Sequence, residues 1–242
     1  MKDESTPSAF PETRWSLVLQ AGQADPKAEV ALNELCRQYW YPIYSFARRT
    51  GKSPSDAEDL TQTFFQRLLE RDILERADRK KGKLRTFLLA AFKNVSSEEW
   101  KREKRLKRGG DKQIVSLELR DAEDRYLNEP ISSDITPDQA YERSWALTLL
   151  DSVLTDLQEE FAKKGKGDHF EVLKEFLGGA PRDHSLGDAA EKLGLNEVAT
   201  RVALHRIRKK YRQHLEDCIR ETVGSEKDLE EEIGRLFAVF EK

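Results

Sequence analysis

The chain has 242 residues, of which 38% are hydrophobic and 36% are charged, and its formal net charge is −3 at pH 7. An average soluble domain holds roughly 45–50% apolar and about 25% charged residues, so this composition favours small domains with large solvated surfaces over one large core. A nucleic-acid partner cannot be inferred from this overall charge, so any basic binding surface must be local.

The two cysteines and the N-terminal residues indicate the compartment. Cys36 and Cys218 stand far apart and match neither a disulfide framework nor a metal-ligand spacing. Residues 1–10 hold no apolar core of signal-peptide length, and the chain has no run of about 18 apolar residues. We therefore expect a soluble, cytoplasmic protein without a membrane partner.

Helical periodicity dominates the chain, and no strand-like alternation of useful length occurs. The first predicted helix starts where Asp25 precedes Pro26, because that pair is typical of a helix cap and first position. We expect this helix to end or bend at Trp40 and Pro42.

The second predicted helix starts with Ser53 as the cap and Pro54 at the first helical position. Apolar side chains follow at spacings of three and four residues: Ala57, Leu60, Phe64, Phe65 and Leu68. The polar candidates on this helix are Asp56, Glu58, Asp59, Gln62 and Gln66. The helix dipole already favours acids in a first turn, so these residues indicate a binding surface only if a partner is implied.

The third predicted helix follows Gly82 and changes character along its length. Its first half carries an apolar stripe, which predicts a core helix, whereas residues 101–108 form a basic run next to Trp100. Aromatic faces stack on unpaired bases while cations follow the backbone, so this half can bind a single strand. The alternative is a solvated helix end beside a core tryptophan.

Residues 111–137 are polar and punctuated by proline, without sustained periodicity, and are interpreted as an interdomain linker. Helical patterns resume at Asp138 and again at Phe170, with a loop at residues 163–167 between them. Residues 226–242 carry a further amphipathic pattern with Leu229, Ile233, Leu236, Phe237 and Phe240 on one face. That last segment either packs on the second domain, binds a regulator or covers the basic helix described next; the competing explanation is a capping helix that only buries core.

Residues 185–196 predict a helix-turn-helix. Ser185 and Asp188 resemble a capping box, Gly194 permits the positive φ of a helix end, and Asn196 caps a second helix. Small residues such as Ala189 and Ala190 allow the close helix crossing that this motif requires.

The second helix of this motif has the residue types of a recognition helix. Candidates for contacts with base edges are Asn196, Glu197, Arg201 and His205, and candidates for contacts with phosphates include Arg206, Arg208 and Lys209. Any amphipathic helix has a charged outer face, which is the competing explanation. The absence of acids from Val198 to His214, in a chain with more acids than bases, favours DNA binding.

Catalytic motifs are missing from the sequence. It contains no phosphate-binding loop, dinucleotide fingerprint, nucleophile elbow or zinc-protease motif, and its four histidines do not cluster at metal-ligand spacing. We expect no enzyme activity, no metal site and no cofactor.

Together these segments resemble the extracytoplasmic-function class of the sigma-70 family of transcription initiation factors, from about Thr13 to Val223. The resemblance implies an all-α chain: a region 2 bundle (10–110), a flexible linker (111–137), a region 4 helix-turn-helix domain (138–223) and a short C-terminal helix (224–242). It also implies core RNA polymerase, through its β′ clamp helices and β subunit, and promoter DNA as partners. An anti-sigma or other regulatory protein is a further candidate partner.

Residues 56–65 resemble region 2.2, which gives the acidic turn a partner: the polymerase clamp. Residues 87–94 resemble region 2.3, and the resemblance implies −10 element contacts from Asn94, Glu98, Trp100, Lys101, Arg102, Arg105 and Arg108. Glu98 and Lys101 depart from the Asp and Arg of the family pattern. Residues 185–212 resemble region 4.2, which reads the −35 element. The rival interpretation is a stand-alone regulator that dimerises on an operator through the helix-turn-helix.

Overall fold

The computed structural model describes residues 26–70, 73, 83–106, 117–129, 135–178, 184–223 and 225–240. Regular structure in these ranges is entirely helical, as the sequence predicts. The helices are α1 (Pro26–Arg49), α2 (Pro54–Leu69), α3 (Leu84–Leu106), α4 (Leu117–Asn128), α5 (Pro137–Lys163), α6 (Gly167–Lys174), α7 (Leu186–Lys192), α8 (Glu197–Arg220) and α9 (Glu226–Ala238).

Internal contacts divide the chain into two compact units. The N-terminal unit takes in the described residues up to Ala146 and those from Ile219 onward, and the inserted unit is Leu147–Cys218. Both α5 and α8 therefore contribute residues to each unit. These boundaries differ from the predicted ones, which place residues 138–146 and 219–223 with the helix-turn-helix.

Aromatic side chains of α1, α2 and α3 build the centre of the N-terminal unit. Phe64 and Phe92 meet edge to face with ring centroids 5.5 Å apart, and Phe46 packs on Phe92 in the same way at 5.9 Å. These rings and their neighbours Tyr39 and Tyr44 are buried. Edge-to-face pairs place the positive rim of one ring on the negative face of another, which stabilises this core beyond area burial alone.

Helix α1 continues through Pro42, so the expectation of an end there is wrong. Proline removes one helical hydrogen bond and crowds the preceding turn. The residues that follow it, Ile43, Tyr44 and Ala47, are fully buried. Their burial outweighs the local cost of proline, which sequence propensity alone does not register.

Helix α4 lies in the segment interpreted as an irregular linker, so that interpretation is wrong over Leu117–Asn128. Glu123 accepts hydrogen bonds from Tyr44 Oη at 2.5 Å and from Arg48 Nη2 at 2.8 Å, and Tyr41 donates to Glu129. Burial acts to raise the pKa of Glu123, but the hydrogen bonds from Arg48 and Tyr44 outweigh it and hold that pKa below its usual value. Polar contacts to α1, rather than apolar periodicity, thus fix this helix.

The C-terminal helix α9 belongs to the N-terminal unit and carries a buried ion cluster. Glu232 is 1% exposed and accepts hydrogen bonds from Arg85, itself 2% exposed, and from Lys83 at 2.5 Å. Arg85 also pairs with Glu142 and places its guanidinium 4.7 Å from the ring centre of Trp145. Helices α3, α5 and α9 are therefore joined at Arg85.

The predicted apolar face of this last helix is correct only in part. Leu229 and Leu236 are buried, but Phe237 is half exposed and Glu232 is buried in its stead. Burial of a carboxylate is tolerated here because Arg85 and Lys83 neutralise it.

In the inserted unit, one carboxylate joins α5 to α8. Glu160 pairs with Lys164 on its own side and with Lys210 of α8, and His214 Nε2 lies 3.3 Å from its other oxygen. Hydrogen bonds from Lys164 and Lys210 lower the pKa of Glu160 to about 2. This carboxylate therefore stays charged and anchors the middle of α8 at any ordinary pH.

Replacing Glu232 by glutamine should destabilise the N-terminal unit. The change leaves Arg85 with only Glu142 as an anionic partner, and breaking a buried ion pair costs about 3–5 kcal/mol. We expect a loss of about 3 kcal/mol in the free energy of unfolding, measured by urea denaturation followed by circular dichroism. The control is Glu231→Gln, which changes an exposed acid of the same helix. Equal midpoints for the two variants would contradict the assignment.

The pH dependence of this effect has a defined sign. Burial acts to raise the pKa of Glu232, but Arg85 and Lys83 outweigh it and hold that pKa below the usual value of 4.5. Stability from a carboxyl with a depressed folded pKa is present above its unfolded pKa and is lost as the pH falls through the folded pKa. The difference in unfolding free energy between the parent and Glu232→Gln should thus be constant near neutral pH and shrink in acid.

Candidate nucleic-acid and polymerase interfaces

Helix α2 presents a polar face whose direction is set by its cap. Ser53 has an extended backbone and accepts a hydrogen bond from Asp56 N at 3.2 Å, and Pro54 takes the first helical position, as predicted. The apolar residues of α2 are buried, so the exposed positions recur every three or four residues: Asp56, Asp59, Gln62 and Gln66. Gln66 donates to Glu70 at 2.8 Å. The result is an acidic and amide face on the first three turns of α2.

Glu58 does not lie on this face. Its side chain is 3% exposed, and its Oε1 accepts a hydrogen bond from Gln62 Nε2 at 3.1 Å. The pKa of the Tyr44 phenol is raised mainly by burial and by Glu123, and Glu58 lies close enough to add to that rise. The expectation that all five polar residues of α2 are available to a partner is therefore corrected, because the helical position of Glu58 turns it toward α1.

The basic run of α3 is solvated, as expected, up to Arg102, where its described side chains end. Trp100 is 50% exposed, and Lys101 and Arg102 beside it are exposed as well. Phe92 is buried and packs on Phe64, so it belongs to the core and supplies no stacking face. Trp100 is thus the aromatic side chain that can reach a base here, which argues against a tryptophan held in the core.

The other residues expected on this surface fall into three groups: one is exposed, one has a partner on α2, and two have side chains outside the described residues. Asn94 is exposed. Glu98 accepts a hydrogen bond from Arg67 of α2 at 2.8 Å, and Arg67 also pairs with Glu99. Glu98 therefore links two helices in the free chain. Arg105 lies on α3, although its side chain is outside the described residues, and Arg108 falls wholly outside them.

Local hydrogen bonds build the helix-turn-helix as the sequence predicts. Ser185 and Asp188 form a reciprocal capping box at the start of α7, with Asp188 N donating to Ser185 Oγ at 3.1 Å. Gly194 has φ of 62° in the turn, a conformation that favours glycine. Asn196 then caps α8, because its side-chain oxygen accepts from Ala199 N at 2.8 Å.

All seven residues predicted for the recognition helix are exposed: Asn196, Glu197, Arg201, His205, Arg206, Arg208 and Lys209. Four of them are engaged within the inserted unit: Asn196 as the cap of α8, and Glu197, Arg201 and Arg208 through side-chain contacts. Arg208 donates to the carbonyl of Phe176 at 2.7 Å, and Arg201 lies 4.0 Å from Glu197, one turn before it. The inward side of α8 is formed by Thr200, Leu204, Ile207 and Leu215, which are buried.

The sequence analysis missed two apolar side chains on the outer side of α8. Val198 is 69% exposed and Val202 is 46% exposed. Both valines are two residues away from buried Thr200, and Val202 is also two residues away from buried Leu204. Residues two apart on a helix point to opposite sides, so this spacing is the signal that could have found them.

Across the described residues, no helix is long and apolar enough to span a bilayer. The same part of the chain holds no group of three or more histidine, cysteine, aspartate or glutamate residues placed to hold a metal ion.

Comparison with protein families gives one result that bears on these surfaces. Residues 35–106 match the family model described as Sigma-70 region 2. The match covers the polar face of α2 and the described side chains of the basic half of α3, and it ends before the inserted unit. Comparisons with curated proteins and with solved structures find no match.

The matched segment supports a role in RNA polymerase binding and promoter recognition, and proteins of this kind are non-enzymatic initiation factors. Residues 35–106 of the chain are therefore identified as a region 2 domain of the RNA polymerase sigma-70 family.

Proposed function

We propose that the chain is a sigma factor of the extracytoplasmic-function class, which docks on core RNA polymerase and directs the recognition and opening of specific promoters. In this proposal the N-terminal unit binds the polymerase and the −10 element, and the inserted unit reads the −35 element. The observation that carries it is the region 2 match over residues that present both an acidic helix face and a half-exposed tryptophan within one unit.

The acidic face of α2 is the proposed docking surface for the polymerase clamp. Asp56 and Asp59 are exposed one turn apart, and Gln62 extends the same face by a further turn. Carboxylates in a solvated rim steer association with a basic partner and fix its register. Glu58 is left out of this surface because it is buried.

The basic half of α3 is the proposed surface for the −10 element. Trp100 offers a flat face beside Lys101 and Arg102, which can follow a phosphate backbone. Bases that leave the stack during opening can regain stacking energy on such a ring. Part of the cost of strand separation is thereby offset by contacts that only the unpaired strand can make.

Helix α8 is the proposed reader of duplex DNA at the −35 element. It is the second helix of a capped helix-turn-helix, and its outward side chains carry arginine, lysine and histidine without an acid between Val198 and His214. Cations of this kind bind phosphates with steep salt dependence and little sequence preference. We therefore expect the free chain to bind DNA weakly and the polymerase complex to bind it specifically.

The test of the proposal is reconstitution. Purified chain added to bacterial core RNA polymerase should produce a promoter-specific runoff transcript and strand opening, whereas neither component should do so alone. A tight complex with a palindromic operator formed by a dimer of the chain without polymerase would instead support a stand-alone regulator. Failure to associate with core polymerase at any salt concentration would overturn the proposal.

The change Asp59→Asn should weaken binding to core polymerase about five- to tenfold, because one exposed charge at such an interface contributes on the order of 1 kcal/mol. Affinity is measured by fluorescence anisotropy of the labelled chain at two salt concentrations. The matched control is Asp121→Asn, which removes an exposed acid of the same unit on α4. Promoter sequence preference should stay the same in the residual complex. Equal affinities for both variants would remove Asp59 from the docking surface.

The change Trp100→Ala should reduce open-complex formation about tenfold, since base stacking on an aromatic side chain contributes roughly 1–3 kcal/mol per base. Permanganate reactivity of unpaired thymines in the −10 region measures opening, and gel shift on fully duplex promoter measures closed-complex binding. Trp100→Phe keeps an aromatic face and should restore most of the opening. A parallel loss of closed-complex binding and opening would show that Trp100 acts before strand separation.

A further inference from the structure

The outermost line of α8 is not its arginine side. Each residue of an α-helix turns the chain by about 100°, which places Val198 and Val202 roughly opposite the buried Thr200, Leu204 and Ile207. The same line continues through His205 and Lys209. Arg201 and Arg208 lie on one flank of it, nearer to the core side.

Valine has no structural benefit at these two positions. It is β-branched and lowers helix propensity relative to alanine or lysine, and at 69% and 46% exposure neither side chain is buried in the inserted unit. Every other exposed residue from Arg201 to Gln213 on this helix is polar or charged. Two aliphatic side chains one turn apart, on an otherwise cationic surface, therefore need a partner that is apolar locally and anionic around it.

Duplex DNA has this combination in its major groove. The C5-methyl group of thymine is the apolar feature that a base edge presents there, and it lies between two phosphate backbones. A helix that enters the major groove brings the first turns of its outward line nearest to the base edges and its later turns toward phosphates. Val198 and Val202 occupy those first turns, and Lys209 occupies a later one.

We infer that Val198 and Val202 are specificity-determining residues that contact thymine methyl groups in the upstream promoter element. This inference rests on the proposed function and adds to it which chemical group of the DNA the helix reads. Glu197, Arg201 and Arg206 then flank the apolar contact and hold the helix in register. The upstream element read by this chain must contain at least one thymine in the groove that α8 enters.

The test removes the methyl group from the DNA and the valine from the protein separately. A promoter library randomised in the upstream region is made in two versions, one with thymine and one with uracil, which differ by that methyl group alone. The full chain bound to core polymerase selects from both libraries. The parent should enrich thymine at one or two positions, and the enrichment should fall about fourfold per methyl group lost in the uracil library.

The variants Val198→Ala and Val202→Ala should show the complementary result. Each should lose the difference between the two libraries at one position while it keeps the preferences at other positions. Alanine raises helix propensity, so both variants should fold as the parent does. The matched control is Leu127→Ala, which removes an exposed aliphatic side chain, 68% exposed, from α4 of the other unit.

The outcomes separate this inference from the proposed function. If the parent enriches a defined upstream sequence equally from both libraries, or if the enriched sequence contains no thymine, the inference is overturned and the proposed function stands. Valine variants that keep the methyl dependence of the parent also overturn it. A parent complex that enriches no upstream sequence overturns the proposed function, and the inference with it.

Discussion

The buried guanidinium of Arg85 is the point on which the N-terminal unit depends. A cation at 2% exposure is tolerated only when anions neutralise it, and here the anions come from Glu142 on α5 and Glu232 on α9. Helix α3, which carries Arg85, also carries the solvated Trp100 near its other end. The position of the proposed DNA surface is thus tied, through one rigid helix, to a charge balance supplied by the far end of the chain.

Charge is sorted along the helices in a way that separates two kinds of partner. The exposed acids of α2 stand in the N-terminal unit on a different helix from the cations of α3, and ion pairs from Arg67 to Glu98 and Glu99 join those helices. In the inserted unit Glu160 neutralises Lys210 near the middle of α8, whereas the earlier turns keep their cations exposed. A protein surface and a nucleic-acid surface can therefore be presented together without cancelling one another.

Features fixed by local chemistry could be predicted from the sequence. The caps at Ser53 and Ser185 and the turn at Gly194 depend only on neighbouring backbone groups, so residue type and spacing identify them. The spacing of apolar residues along α2 and α3 likewise predicts which face of each helix is buried. The family resemblance supplied the region 2 assignment, and the match to residues 35–106 confirms it.

What the sequence could not show depends on contacts between distant residues. Glu58 and Glu232 have the residue type of solvated helix acids, and only the packing of α1 near Glu58 and of Arg85 against Glu232 shows that both are buried. Helix α4 is held in place by hydrogen bonds from Tyr44 and Arg48 to Glu123. It therefore needs little apolar periodicity, which is the pattern that would have identified it in the sequence. Pro42 favours the end of a helix locally, but burial of the residues that follow it against distant parts of the chain overrides that preference.

The assignment of α9 to the N-terminal unit has a consequence for dissecting the protein. A fragment that stops after residue 110 lacks α4, the start of α5 and all of α9, so it leaves Arg85 without either carboxylate. Removing only the C-terminal helix α9 would also destabilise the N-terminal unit, because it removes Glu232 from Arg85. Of the described residues, the segment that internal contacts separate as a unit of its own is the middle of the chain, Leu147–Cys218, rather than either end.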